Sequence, residues 1–326
     1  MKPFTYERAT DPQAALAALA RAPNTKLISG GTNLLDLMKL EIEQPEHLVD
    51  VSRLPLAAIE SLPGGDLRIG AQAKNSDVAC DERVRDRYPV LTQALLAGAS
   101  PQLRNMASIA GNLMQRTRCP YFYEPSMPCN KRRPGAGCEA IGGFNRGSAI
   151  LGTSESCIAT HPSDMAVALA VLDARIEILT AGGPRTVAIG DFHLLPSTTP
   201  SIETVLGRGE LITGVVLPAP PRGRQIYRKV RDRASYEFAL VSVAAIVAVA
   251  DGRISAARVA FGGVAHKPWR AFEAEAVLHG RPPELATFES AADATLARAV
   301  GRGHNDFKIA LAKRTLVATL SSAVQP

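Results

Sequence analysis

Two groups of residues in this chain could do chemistry. The first is cysteine. Cys119, Cys129, Cys138 and Cys157 fall within 39 residues, while Cys80 stands apart. Four thiolates suit Zn²⁺ or an iron–sulfur cluster, because both take soft sulfur donors. The gaps of nine, eight and eighteen residues match no common zinc or ferredoxin pattern. Disulfides are the alternative in an exported chain, and four unrelated thiols are the plain reading. A metal site has the stronger case on one ground. Residues 116–160 carry four Cys, four Pro and many Gly, with almost no hydrophobic periodicity. A structureless stretch of that length needs something to order it.

Charge in the same stretch leans towards a cluster. Between residues 116 and 146, Arg116, Arg118, Lys131, Arg132, Arg133 and Arg146 outnumber Glu124 and Glu139. A four-thiolate iron–sulfur centre is anionic, and nearby cations stabilise it. Lys131-Arg132-Arg133 also reads as a solvated basic loop or a docking patch for an acidic partner. Tyr121, Phe122 and Tyr123 could shield a centre from water or pack the loop onto the core. Cys80, in Val78-Ala79-Cys80-Asp81, reads as a structural thiol.

The second group is Ser29-Gly30-Gly31-Thr32-Asn33. Glycines after a strand let backbone N–H groups point at a phosphate, and a following helix N-terminus adds partial positive charge. The run is neither GxGxxG nor a Walker A sequence, so by itself it is more often a simple turn. Ala107–Leu113 is small and Gly-containing, which suits a backbone that approaches something closely. Little else is reactive. The histidines at 47, 161, 193, 266, 279 and 304 show no pair at ligand spacing, and there is no GxSxG or acid/base dyad. A cofactor would have to supply the reaction.

These groups need elements to position them. Ala14–Ala20 reads as a helix started by Asp11-Pro12, Lys26–Ser29 as a strand, Leu34–Leu40 as a helix and His47–Val51 as a strand. That sequence is a βαβ unit. Leu67–Ala71 and Arg175–Leu179 read as strands, Pro89–Ala97 as a helix, and Ser163 caps an apolar helix to Leu172. Leu211–Leu217 is a strand ended by a Pro cluster at 218–221. Val241–Ala250 and Ile254–Val264 read as a hairpin turned by Asp251-Gly252. Helices follow near 271–279, 284–300 and 306–320.

Composition narrows the class. The chain has 326 residues, 46% hydrophobic and 21% charged, which excludes a mainly disordered, collagen-like or disulfide-stapled protein. A net charge of +6 over that length does not point to nucleic acid. The longest apolar run, Phe238–Ala250, is 13 residues and holds Ser242, whereas a membrane span needs roughly 20. The N-terminal MKPFTYERAT has no apolar signal region, so by its own sequence the chain is expected in the cytosol unless a partner carries it elsewhere.

Five segments, in order, match a known family. Lys26 to Lys39 resembles the first FAD-binding segment of the flavoprotein of the xanthine dehydrogenase, or molybdenum hydroxylase, family, and Arg104–Leu113 resembles the second. His161–Asp173, Gly209–Pro218 and Tyr227–Arg233 resemble later family segments. The departure is the stretch between Leu113 and His161, which most relatives lack. The subclass with a Cys-rich insertion there is similar to the FAD subunit of bacterial aldehyde oxidoreductases of the periplasmic type, where the insertion holds a [4Fe–4S] cluster.

This resemblance implies an α+β protein: a two-subdomain FAD-binding fold of the CO dehydrogenase flavoprotein type, then a C-terminal antiparallel sheet packed on helices. The implied units are 1–55, 56–220 with the insertion at 116–160, and 221–326. It implies that Lys26, Leu27, Ile28, Ser29, Gly30, Gly31, Thr32, Asn33 and Leu34 line FAD, with Ser108, Gly111 and Asn112 also touching it. Asp164 would bond the ribityl or ribose hydroxyls, Ile212 would pack on the isoalloxazine, and Lys229, or else Arg228, would sit at the flavin's polar edge. Without the family, Asp164 would be a helix first-turn acid and Ile212 ordinary core. Cys119, Cys129, Cys138 and Cys157 would hold the [4Fe–4S] cluster. The partners implied are a large molybdenum–pterin subunit that oxidises an aldehyde to a carboxylic acid, and a small subunit with two [2Fe–2S] clusters. Electrons would pass through FAD to an external acceptor, a ferredoxin-like protein or oxygen. Export to the periplasm would follow from a signal on the small subunit. The alternatives are a self-contained FAD oxidase and a zinc-stapled binding module without redox chemistry.

Overall fold

The computed structural model describes residues 1–325. Its first unit follows from a parallel β-α-β pattern. Strands β1 (Thr5–Arg8), β2 (Thr25–Ile28) and β3 (His47–Asp50) form a parallel sheet in the order β1-β3-β2. Helix α1 (Pro12–Arg21) crosses between β1 and β2, and α2 (Leu34–Lys39) between β2 and β3. Asp11 caps α1 by accepting from the Ala14 N–H at 2.8 Å, and Pro12 begins it without a wasted donor. The face Ala15, Leu16, Ala18, Leu19 turns inward. Strand β1 carries no apolar alternation that sequence reading could detect; it is a strand because β3 offers it an edge. Asp50 ties the two together, accepting from the Tyr6 hydroxyl at 2.6 Å and the Arg8 Nε at 3.1 Å.

The second unit is an antiparallel sheet of β4 (Ile59–Ser61), β5 (Leu67–Gly70), β6 (Arg175–Thr180), β7 (Gly183–Ala188) and β8 (Leu211–Leu217), ordered β4-β5-β8-β6-β7. Between β5 and β6 run the short helices α3 (Asn75–Cys80), α4 (Glu82–Arg87), α5 (Pro89–Ala97), α6 (Pro101–Met106), α7 (Ile109–Leu113) and α8 (Pro120–Tyr123), then α9 (Asp164–Val171). A single turn, α10 (Ile189–Phe192), follows β7. Every residue of α9 is buried, the pattern of a helix with apolar neighbours on all sides. It packs with Leu91 and Leu95 of α5 on one side and Ala244, Ile246 and Ala260 of the third unit on another.

That third unit is an antiparallel sheet of β9 (Arg224–Val230), β10 (Val241–Ala250), β11 (Arg253–Gly262) and β12 (Trp269–Arg270), backed by α11 (Phe272–Leu278), α12 (Leu285–Leu296) and α13 (Phe307–Val324). Asp251 and Gly252 turn the hairpin with φ of 51° and 70°. Two left-handed residues give a turn whose twist matches the strands, which is why Asp-Gly is found there.

The insertion is mostly irregular, but it is not without internal order, contrary to expectation. The Arg132 guanidinium donates to the carbonyls of Tyr121 and Phe122 at 2.8 Å each, and to those of Pro125 and Met127. Asn145 donates to Ala140 O and Arg302 O. Lys308, fully buried on α13, donates to Gly147 O, Ser148 O and Gly263 O. Side-chain donors thus replace the missing backbone ladder.

Asp50 supplies a pH test. Burial alone would raise its pKa, but hydrogen bonds from Tyr6, Ser52 and Arg8 outweigh burial and hold it at about 2 against an ordinary 3.8. A depressed folded pKa stabilises above the unfolded value and is lost as pH falls through the folded one. Asp50→Asn is expected to flatten the loss of stability between about pH 4 and pH 2, read by urea unfolding at stepped pH. An unchanged acid limb would refute this latch.

Candidate functional site

A cleft opens where the first two units meet. Its wall on one side is the turn that leaves β2. Gly31 has φ of 72°, a left-handed conformation that glycine adopts freely. Gly30 matters for a different reason. A Cβ there would lie 2.0 Å from the Met106 carbonyl oxygen, so only glycine lets the end of α6 press against the turn. The opposite wall is α7. Ser108 caps it by accepting from the Gly111 N–H at 3.2 Å. Lys26 to Leu34, Ser108 and Gly111 all line a cavity of about 680 Å³. Thr32, Asn33 and Gly111 also border a second cavity of about 260 Å³, which reaches Asn112 and Asp164. The two form one elongated channel.

At the far end the side chains interlock. Asn112 Oδ1 accepts from the Ser163 hydroxyl at 2.6 Å and from Gln115 Nε2 at 2.7 Å. Ser163 in turn caps α9 through the Ala166 N–H at 3.0 Å. This chain of bonds places Asp164, the first residue of α9. Lys229 Nζ, on β9, donates to Asp164 Oδ2 at 2.7 Å, and the Tyr227 hydroxyl donates to Asp164 Oδ1. The Lys229 and Asp164 side chains are only 4% and 7% exposed. Burial, with the Asp164 charge beside it, pushes the Tyr227 hydroxyl well above its ordinary pKa, so it stays a donor.

Strand alternation separates the two basic neighbours on β9. Lys229 faces Asp164, whereas Arg228 points to the other side of the sheet and bonds the Ser322 hydroxyl of α13 at 2.9 Å. Ile212 does not come to the cleft. It sits at 3% exposure in the core of the second unit, among the residues packed with α9. It lines neither of the two cavities. Residues that the sequence reading did not assign to the cofactor also line the channel: Arg104, Arg118, Tyr236 and Phe238 at one end, and Leu206 to Glu210 at the other. Arg118 lies over the Phe238 ring at 4.8 Å, joining the insertion to the β9–β10 loop. No spacing rule could have signalled these contacts.

The channel suits a long, polar, dinucleotide-like cofactor. Asn33 Nδ2 and Asn75 Oδ1 border it, are buried, and have no protein partner, and such groups call for a ligand or water. The glycine turn offers backbone rather than side chain to whatever lies there.

The four cysteines form a second centre. Cys119, Cys129, Cys138 and Cys157 all line one small cavity walled by Tyr121 and the fully buried Phe122. Cys129 and Cys138 face each other across an antiparallel bridge. The thiols are close enough for Cys157 to donate to Cys138. That hydrogen bond, helped by the N–H groups of Ile158, Ala140 and Ile141, lowers Cys138 to about 6 and drives Cys157 upward. Burial raises Cys119. Among the described residues no three Cys, His, Asp or Glu stand at spacing for a single ion, and the cavity leaves about 10 Å³, roughly one water. The donor set fits a four-thiolate cluster, and seating one requires the thiols to part.

The basic run beside them is not a docking patch. Lys131 is 6% exposed and pairs with Glu203 at 2.8 Å. Arg132 is spent on carbonyls, and only Arg133 of the three is exposed. Histidine also differs from expectation. The His161 and His193 rings, far apart in sequence, lie 4.2 Å apart.

The fold and this channel define a flavoprotein component with a cofactor between two subdomains. Residues 2–220 match the family described as the FAD binding domain in molybdopterin dehydrogenase, and 225–323 match the CO dehydrogenase flavoprotein C-terminal domain. The chain belongs to the FAD-binding medium subunits of the molybdenum hydroxylases. It is 56% identical over 324 residues to the aldehyde oxidoreductase FAD-binding subunit PaoB of Escherichia coli, covering 99% of each chain. It is 28% identical to the glyceraldehyde dehydrogenase medium chain of Sulfolobus acidocaldarius, over 85% of this chain and 82% of that one. Among solved structures it superposes on the carbon monoxide dehydrogenase of Hydrogenophaga pseudoflava with a TM-score of 0.78 at 27% identity, covering 99% and 97%. The expected α+β fold of the CO dehydrogenase flavoprotein type is the fold observed.

Two outcomes follow from this geometry. Lys229→Met strands a buried carboxylate and is expected to cost about 3–5 kcal/mol in urea unfolding. Lys229→Met with Asp164→Asn should recover most of that loss; a double variant as unstable as the single one would refute the ionic role. Gly30→Ala should give a folded protein that purifies with little flavin absorbance. Full flavin content would show that the Met106 segment yields.

Proposed function

We propose that this chain is the FAD- and [4Fe–4S]-carrying electron-transfer subunit of a molybdenum-containing aldehyde oxidoreductase. The family membership carries the flavin and the class of complex. The 56% identity to the aldehyde oxidoreductase subunit supports the aldehyde substrate. The observation that carries the cluster is the convergence of all four inserted cysteines on one cavity. Cys119 also borders a cavity of about 260 Å³ that reaches Asp164, so the cysteine centre and the channel are neighbours.

The partners in this reading are a large molybdenum–pterin subunit and a small subunit with [2Fe–2S] clusters. The chemistry FAD supplies when bound is acceptance of their electrons and release to an external acceptor. This chain's own residues perform the positioning. Gly30 lets the Met106 segment close on the turn, the left-handed Gly31 shapes that turn, and Ser108 and Asn112 hold α7 beside the channel. Lys229 and Tyr227 hold the Asp164 carboxylate in place at the end of the channel through one hydrogen bond to each oxygen. Each Asp164 oxygen retains a lone pair for a hydroxyl. The fully buried Phe122 forms one wall of the cysteine cavity. No helix among the described residues is long and apolar enough to cross a membrane. Co-export to the periplasm with a signal-bearing partner is part of the same proposal.

Iron, sulfide and flavin assays on the anaerobically purified complex test it. Wild type should carry about four iron in this subunit beyond the [2Fe–2S] clusters, and Cys138→Ser should lose them. Zinc in place of iron would make the insertion a structural staple and overturn the cluster.

A further inference from the structure

His161, His193 and His266 converge on a cavity of about 320 Å³ beside the insertion. His193 and His266 are buried, and the ring nitrogens of the partly buried His161 are shielded from solvent. Most of their ring nitrogens lack partners. Both ring nitrogens of His266 and Nδ1 of His193 have no hydrogen-bond partner in the protein, and those of His161 make none of good geometry, with only the Leu113 carbonyl nearby. Buried polar atoms without partners are rare in native proteins, and several in one cavity call for an occupant. His193 Nε2 faces the Leu113 carbonyl at 2.9 Å. The carbonyl can only accept, so Nε2 carries the proton and Nδ1 presents a lone pair.

Charge decides what the occupant is. Lys26, Lys131 and Arg116 line the cavity with one carboxylate, Glu203. Glu203 pairs with Lys131 at 2.8 Å and Arg116 at 2.9 Å, and Glu43 behind the wall pairs with Lys26 and Arg116. Three cations against two carboxylates leave positive charge over. Lys131 donates to Pro200 O at 3.1 Å and lies 2.8 Å from Glu203 as an ion pair, so its ammonium still has a donor for a ligand. A bare metal cation would enter against this field, and no three of these ligands stand at spacing for one ion among the described residues.

We propose that this cavity binds a small oxyanion bearing a hydroxyl, of the inorganic phosphate type. Lys131 and the N–H groups of His161 and His266 donate to its oxygens, and its own hydroxyl donates to His193 Nδ1. The three imidazoles supply donors and an acceptor without bringing charge of their own. Burial lowers all three, His193 to about 4 and His266 to about 3, so they enter neutral. The site needs neither FAD nor a cluster for its argument. It does stand between them: Lys26 and Arg116 are shared with the flavin channel, and Lys131 with the cysteine cavity.

Calorimetric titration of the purified full chain with inorganic phosphate, in a chloride buffer of constant ionic strength, tests this. One site per chain is expected, weakened about tenfold or more in His266→Gln. Lys131→Met should weaken it further, and His266→Gln keeps the test open if Lys131→Met does not fold. Crystals soaked in arsenate, which keeps a hydroxyl and scatters anomalously, should show one peak among the three rings. Equal phosphate affinity in wild type and His266→Gln would overturn the site. So would water alone among the rings, or binding of Zn²⁺ to wild type with no binding of phosphate.

Discussion

The Asp164 carboxylate, held by Lys229 and Tyr227, is the interaction on which the arrangement depends. It joins the start of α9 to β9, and so joins the second unit to the third at the end of the channel. A buried charge of this kind is costly unless its partners are in place. Here the partners come from the neighbouring sheet, and the helix they meet is buried along its whole length. The position of Asp164 therefore reports whether the two units are correctly docked. The same carboxylate is at once the hinge of the packing and the polar end of the cofactor channel.

From that anchor the logic runs outward in both directions. Ser163 and Asn112 carry it to α7, α7 carries it to the glycine turn after β2, and the turn closes on the Met106 carbonyl. In the other direction Arg118 and Phe238 connect the channel mouth to the insertion. The insertion then rests on buried and half-buried cations. Lys131, Arg132 and Lys308 each lie along carbonyl oxygens or a carboxylate rather than in solvent. Basic residues that look like a surface patch in one dimension are the internal scaffold of a loop that has no ladder of its own. Long cationic side chains can do this because their stems tolerate burial while their heads satisfy several acceptors at once.

The cysteine cavity and the histidine cavity share Lys131 as a wall. Charge placed in either will be felt in the other, since interactions strengthen as water is excluded. The insertion thus does more than add four thiols to the fold. It brings a polar, charged layer against the flavin-binding units, and that layer is held by ion pairs to Glu203 and Glu43.

The local elements were legible in the sequence because their signals are local. The Asp11-Pro12 start, the Ser163 cap, the Asp251-Gly252 turn and the left-handed Gly31 each act within a few residues of themselves. The family segments and the four cysteines could be read the same way. Strand β1, by contrast, exists only because β3 pairs with it. That Lys229 rather than Arg228 meets Asp164 was decided by which face of β9 turns inward, and Ile212 was drawn into a core that only packing defines. The meeting of His161, His193 and His266 joins three residues separated by 32 and 73 positions. No spacing rule spans such distances, because it is the docking of separate units, driven by burial, that closes them.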